Sequence, residues 1–185
     1  YRVVSKNPPN KNLKRNADYR LGWSNKLINK PEDAIKIFKS MDLSFEKKYS
    51  REMTYLVAGM YMDLEDLENA QIWYSKLINR VGSFSADSFL ALGNHKYDQN
   101  KFKEVVELMY TFIRVLPNNI LKAEALFLLA EASYELNDSA QAIDSYTKII
   151  NGGKSAVIEN ALYGRAWIFY EKNDQQKSIS DLDRL

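Results

Sequence analysis

Five small residues, Gly22, Ala58, Gly93, Ala130 and Ala166, recur along this chain at intervals of 36, 35, 37 and 36. A second column lies twelve residues after each of them: Ala34, Ala70, Val105, Ala142 and Ser178. A third, sixteen after, is apolar or aromatic throughout: Phe38, Tyr74, Met109, Tyr146 and Leu182. A fourth reads Met41, Leu77, Phe112, Ile149 and Leu185. Four columns held in register over five copies restrict the chain to a supersecondary unit repeated and stacked. A unit of that size cannot bury its own apolar face, so each copy needs its neighbours.

The internal period of the unit is helical. Val105, Val106, Met109, Phe112 and Ile113, and again Ala142, Ile143, Tyr146, Ile149 and Ile150, recur in steps of three and four, which places them on one face of a helix and excludes a strand. Between the first and second columns stand Asn29 to Asp33, Asp63 to Asp66, Asp98 to Asn100, Asn137-Asp138 and Asn173-Asp174. Asn and Asp bond locally to the backbone and tolerate left-handed conformations, so they end one helix and cap the next. Val81-Gly82, Leu116-Pro117-Asn118-Asn119 and Asn151-Gly152-Gly153 separate one unit from the following one. The expected fold is all-α, about five helix-turn-helix units over residues 16–50, 51–85, 86–122, 123–158 and 159–185. Small first-column residues are read as a packing demand, because a larger side chain there would hold the helix axes apart.

Composition agrees with a folded body: 45% of the residues are apolar and 12% aromatic. No apolar run is long enough to cross a bilayer as a helix. Without cysteine there is no disulfide framework, thiolate metal site or cysteine nucleophile, and the redox compartment stays open. The net charge of +2 conceals an asymmetry, since residues 1–30 carry eight Lys or Arg against the single Asp18, leaving the rest of the chain acidic. Residues 1–15, with Pro8-Pro9 and several Asn, read as a basic polar linker or the end of a preceding element.

Leu21-Gly22, Leu92-Gly93 and Leu129-Ala130, the aromatics Tyr61, Tyr97, Tyr134, Phe169 and Tyr170 three or four residues after the small residue, and Ala twelve after it resemble the tetratricopeptide repeat. The resemblance covers about residues 16–185. It departs from the family where the early Trp is replaced by Asp18, Thr54, Phe89, Leu126 and Leu162, and where the closing Pro survives only as Pro117. The longer period and phrases such as Ala161 to Tyr170 are similar to the bacterial envelope group, the outer-membrane assembly lipoprotein and the Tol-Pal coordinator. The resemblance implies a right-handed α-solenoid whose first helices line a concave face. On that face it places Tyr19, Trp23, Tyr55, Asn94, Tyr97, Phe127, Glu131, Tyr134, Tyr163, Trp167 and Tyr170, with Glu124, Glu135 and Glu171 as a negative edge. It also implies a protein or peptide partner, a periplasmic or envelope setting in preference to the cytoplasm, and room for a peripheral or upstream membrane anchor. Leu182 and Leu185 are expected to lie uncovered on the last helix, so that a further segment or a partner would cover them.

No catalytic constellation accompanies the repeats. His95 is the only histidine and makes neither a common zinc site nor a relay. Asp63, Glu65, Asp66 and Glu68 lack the central Gly of a calcium loop. Asn151-Gly152-Gly153-Lys154-Ser155 lacks the upstream Gly of a phosphate loop and joins two helices. The expectation is a non-catalytic interaction scaffold without cofactor or metal, holding a peptide or helix with apolar anchors and basic flanks, and no nucleic acid. The alternative is an anionic-surface binder, to lipid or nucleic acid, that acts through the basic leader with the repeats as spacer.

Overall fold

A computed structural model describes residues 1–6, 10–41, 47–153 and 155–185. Among them are eleven helices and no strand: α1 (Arg2–Lys6), α2 (Lys11–Leu27), α3 (Pro31–Ser40), α4 (Lys47–Asp63), α5 (Leu67–Ile78), α6 (Ser85–Asp98), α7 (Phe102–Val115), α8 (Lys122–Glu135), α9 (Ser139–Asn151), α10 (Ile158–Glu171) and α11 (Gln175–Leu182). From α2 onward they form five successive pairs, each joined by a tight turn. The chain divides into two compact units, residues 1–88 and 89–185, with the division inside α6.

The five turns within the pairs share one backbone solution. Asn29, Glu65, Asn100, Asn137 and Asn173 all have φ between 58° and 63°, and each falls seven residues after its first-column residue. In every case the N–H of that residue donates to the carbonyl three before it, and the next N–H reaches back five, as in Asn137 to Tyr134 at 2.8 Å and Asp138 to Ser133 at 2.8 Å. This is the Schellman ending, which satisfies the last carbonyls of the first helix and needs a left-handed residue. Asn meets that need at four turns; Glu65 occupies the same conformation without the side chain that favours it. The following residue then opens the second helix. Asp66, Asp138 and Asp174 accept from the amides of Asn69, Gln141 and Lys177, and Pro31 starts α3 with no amide to lose. The acidic stretch at 63–68 is this turn.

The columns meet one another in the core. A Cβ on Gly22 would lie 2.5 Å from Phe38, and one on Gly93 would lie 2.8 Å from the Met109 methyl. The first-column residue therefore faces the third-column residue of its own pair, and the bulk of the latter requires the smallness of the former. In the first unit Ala34, Ile35 and Phe38 pack with Met53, Val57, Met60 and Ala70. In the second, Leu126, Ala130, Ala142, Tyr146, Ile149 and Leu162 form the corresponding core. The last copy departs: Leu182 and Leu185 are exposed, and the buried residues of α11 are Ser178 and Asp181, the latter bound to Arg165.

The basic segment 1–15, expected as a linker or the end of a preceding element, contains helical residues. Arg2–Lys6 is helical, and α2 already begins at Lys11 with Asn10 accepting from the Leu13 amide. Five residues cannot hold a helix alone; here the Ser5 hydroxyl donates to Asp18 and Arg20 Nη1 donates to the Tyr1 hydroxyl at 3.1 Å. Lys14 Nζ also lies 2.5 Å from Asp18, so part of the positive charge is engaged within the fold. Pro8-Pro9 lies outside the described residues, as does Lys154.

Burial gives the fold an alkaline limit. Tyr74 is 4% exposed, and burial, with Tyr55 and Asp63 nearby, pushes its hydroxyl up to about 12 from an ordinary 10. Its contribution is whole below pH 10 and is lost as pH rises towards 12, because in that window the unfolded chain ionises and the folded one does not. The loss is about 2–3 kcal/mol. Urea midpoints measured across this window should fall, and more shallowly in Tyr74→Phe; an equal slope in the variant would reject the assignment.

Candidate functional site

A cleft of about 560 Å³ lies on α8, α9 and α10 of the second unit, lined by several of its aromatic residues and two of its glutamates. From α8 it takes Phe127, Glu131 and Tyr134; from α10, Glu159, Asn160, Tyr163, Gly164, Trp167 and Ile168; from α9, Tyr146; and Leu185 closes one side. The four-residue spacing of Tyr163 and Trp167, and of Phe127 and Glu131, sets them one turn apart on their helices. Tyr163, Trp167 and Tyr170 are 58, 47 and 61% exposed, a large aromatic area left towards solvent. Tyr170 lies beside the cleft, its ring 5.9 Å from that of Trp167 and tilted by 37°.

Hydrogen bonds hold this face in place. Tyr134 donates its hydroxyl to Glu171 Oε1 at 2.9 Å, and the Trp167 indole N–H lies 3.1 Å from both that carboxylate oxygen and the Tyr134 hydroxyl. Tyr146 donates to Glu131. Its ring is buried among α8 and α10 side chains and approaches α10 only because position 164 is Gly: a Cβ there would stand 2.7 Å from the Tyr146 ring. Burial and the Glu131 carboxylate raise the Tyr146 hydroxyl well above the ordinary tyrosine range. Glu171 also raises the Tyr134 hydroxyl, by accepting its hydrogen bond. The phenols therefore remain neutral donors at physiological pH. With no Lys or Arg lining it among the described residues, the cleft is acidic as well as aromatic.

The other residues expected at a groove have different surroundings. Tyr19 and Trp23 pack against the core of the first unit, edge to face with ring centroids 6.4 Å apart, and the Tyr19 hydroxyl donates to Glu52 at 2.9 Å. Tyr55 stacks on Phe84 at 5.2 Å and meets Tyr74 edge-on at 5.8 Å. Phe84 has φ 63°, a strained conformation for so bulky a residue, and the Arg51 guanidinium holds the adjoining Ser83 carbonyl at 2.8 Å and Ser85 hydroxyl at 2.8 Å. Tyr97 is half-buried, edge-on to Phe102 at 5.2 Å, and burial together with Glu131 and Glu135 pushes its hydroxyl up to about 12. Asn94 is exposed. Neither lines the cleft. The expected negative edge is also more engaged than solvated carboxylates would be, since Glu131, Glu135 and Glu171 each bond a tyrosine. Glu124 Oε2 is buried without a hydrogen bond among the described residues.

The sequence reading did not include Tyr146, Glu159, Asn160 or Gly164. Tyr146 was legible only as a core position, because the third column is buried in every earlier copy. Gly164 was the available signal: a glycine inside a strong helix marks a close approach. His95 takes no part, its ring nitrogen meeting Gln99 at 2.8 Å. Among the described residues no group of three His, Cys, Asp or Glu is placed to hold a metal ion, and no helix is long and apolar enough to cross a membrane.

Residues 124–151, the α8–α9 pair, match the family model of the tetratricopeptide repeat. No curated protein sequence matches the chain. Among solved structures, MamA from Desulfovibrio magneticus RS-1 is similar with a TM-score of 0.68 at 15% identity, covering 92% of each chain. PilF of Pseudomonas aeruginosa gives 0.68 at 16%, over 94% of this chain and 75% of that one. YrrB, described as a TPR protein with an unusual peptide-binding site, gives 0.66 at 14%, over 98% and 88%. At such identities the likeness is one of fold. The α8–α9 pair matches that repeat, and the chain shares the all-helical fold of these solved structures.

Proposed function

We propose that this tetratricopeptide-repeat fold is a non-catalytic scaffold that holds a peptide or helix of a partner protein in the cleft on α8 and α10. The observation that carries the reading is the exposure of Tyr163, Trp167 and Tyr170 beside a row of glutamates already fixed by hydrogen bonds. Rigid aromatic rings lose little side-chain freedom on binding and supply most of the energy at protein interfaces. A scaffold is also what the fold neighbours suggest, and the YrrB description names a peptide-binding site in one of them. The charge of the cleft calls for a partner with apolar anchors and basic flanks. An envelope setting remains part of this proposal, resting on the longer repeat period and the phrase at residues 161–170.

The test is selection from a random peptide library displayed on phage, with the native chain and a Tyr163→Ala/Trp167→Ala variant as baits. Both side chains are largely exposed, so helicity should be unchanged. Peptides enriched by the native chain and lost with the variant support the cleft. Peptides held equally by both place binding elsewhere, and the basic segment 1–15 would then be the surface to delete next.

A further inference from the structure

Within this proposed peptide-binding reading, we infer that the cleft selects a lysine side chain of its partner, seating the ammonium against the face of Trp167, with Glu159 on the same cleft and Glu171 bound to the indole N–H. The chain contains three tryptophans. Lys26 Nζ lies 5.3 Å from the ring centroid of Trp23, and Lys76 Nζ lies 3.4 Å from that of Trp73. Among the described residues no cation lies over Trp167, although the residue is 47% exposed and lines the cleft. The negative face of an indole attracts an ammonium group, and the attraction grows as water is displaced. Trp167 has the further advantage of a fixed pose, because its N–H is tied to Glu171 and to the Tyr134 hydroxyl.

The surroundings suit an ammonium on a flexible stem. Tyr163, Phe127 and the Tyr146 ring supply apolar walls for a methylene chain, and Glu131 and Glu159 add negative charge on the same cleft. Lysine satisfies both requirements at once, its stem lying along apolar surface while its head stays polar. Arginine is a poorer match: the hydroxyls of Tyr134 and Tyr146 already donate to Glu171 and Glu131, so those carboxylates lack the free paired oxygens that a guanidinium fork uses.

The experiment follows the Trp167 indole N–H resonance of the full chain by NMR while adding N-acetyl-lysine methylamide or, separately, N-acetyl-norleucine methylamide, at constant ionic strength. The inference expects a saturable shift with the lysine probe, about fivefold tighter than with the norleucine probe. Glu159→Gln/Glu171→Gln should remove most of that preference, since the amides keep the size and a hydrogen-bond acceptor but carry no charge. Equal affinity for the two probes, or no saturable shift with either, overturns the inference. Tighter binding of tetramethylammonium than of the lysine probe also overturns it, in favour of a small quaternary amine. The peptide selection separates the two levels: peptides that need Trp167 but show no enrichment of lysine leave the scaffold reading intact and remove only the lysine, whereas a selection with no Trp167-dependent peptide removes both.

Discussion

Asp181→Ala should release α11 from the second unit. The Arg165 guanidinium, 13% exposed at its side chain, donates two parallel hydrogen bonds to the Asp181 carboxylate, itself 5% exposed, at 2.7 and 2.8 Å. A third N–H reaches the Thr147 hydroxyl at 2.7 Å. One side chain thereby ties α9, α10 and α11 together. Removing the carboxylate strands a largely buried cation, at a cost of about 3 kcal/mol. The helix that depends on it has only eight residues, and its apolar Ile179 and Leu182 are exposed, so packing offers little in reserve. Because repeat folds add stability copy by copy, the damage should stay local. Amide hydrogen exchange should show α11 losing protection while α8 and α9 keep theirs. Asp181→Asn, which preserves shape and one acceptor, should cost less than the alanine. Retained protection of α11 in Asp181→Ala would show that the ion pair does not hold the helix.

Phe112→Ala should be the most damaging single core change in the same unit. The ring is fully buried and meets Phe89 edge-on at 5.6 Å, so truncation removes a large apolar surface and leaves a cavity that α6 and α7 cannot close without breaking other contacts. Such a substitution costs about 3–5 kcal/mol. Phe112→Leu keeps much of the volume and should cost about 1 kcal/mol. Thermal unfolding followed by circular dichroism gives the order; an alanine variant no less stable than the leucine would mean that the site collapses freely, contrary to the close packing described.

Most of the local structure was legible because it depends on neighbours in sequence. The period located every turn, since an Asn seven residues past the small column can take the left-handed conformation that ends a helix. Glu65 shows the limit of that signal. It is the one copy without Asn, yet the turn forms in the same way, because the helices on either side and the Asp66 cap dictate the backbone. The helical conformation of α1, within the segment expected as a linker or the end of a preceding element, was not legible for a related reason. RVVSK has no periodic apolar face of useful length, and only the contacts of Ser5 with Asp18 and of Tyr1 with Arg20 make it helical. The candidate site was legible as a list of aromatics on the first helices. Which of them share a surface was not.

The sequence by itself determined the helical class, the pairing of helices and the residue at each turn, because hydrogen bonds and apolar periodicity within some forty residues settle those. Tertiary structure alone decided the fate of each aromatic. Trp23 and Trp167 occupy the same place in the repeat, but Trp23 packs on the core of its unit under Lys26, and Trp167 stands open beside Glu171. The difference lies in which side chains arrive from other helices to cover the ring, and no period along one helix records that.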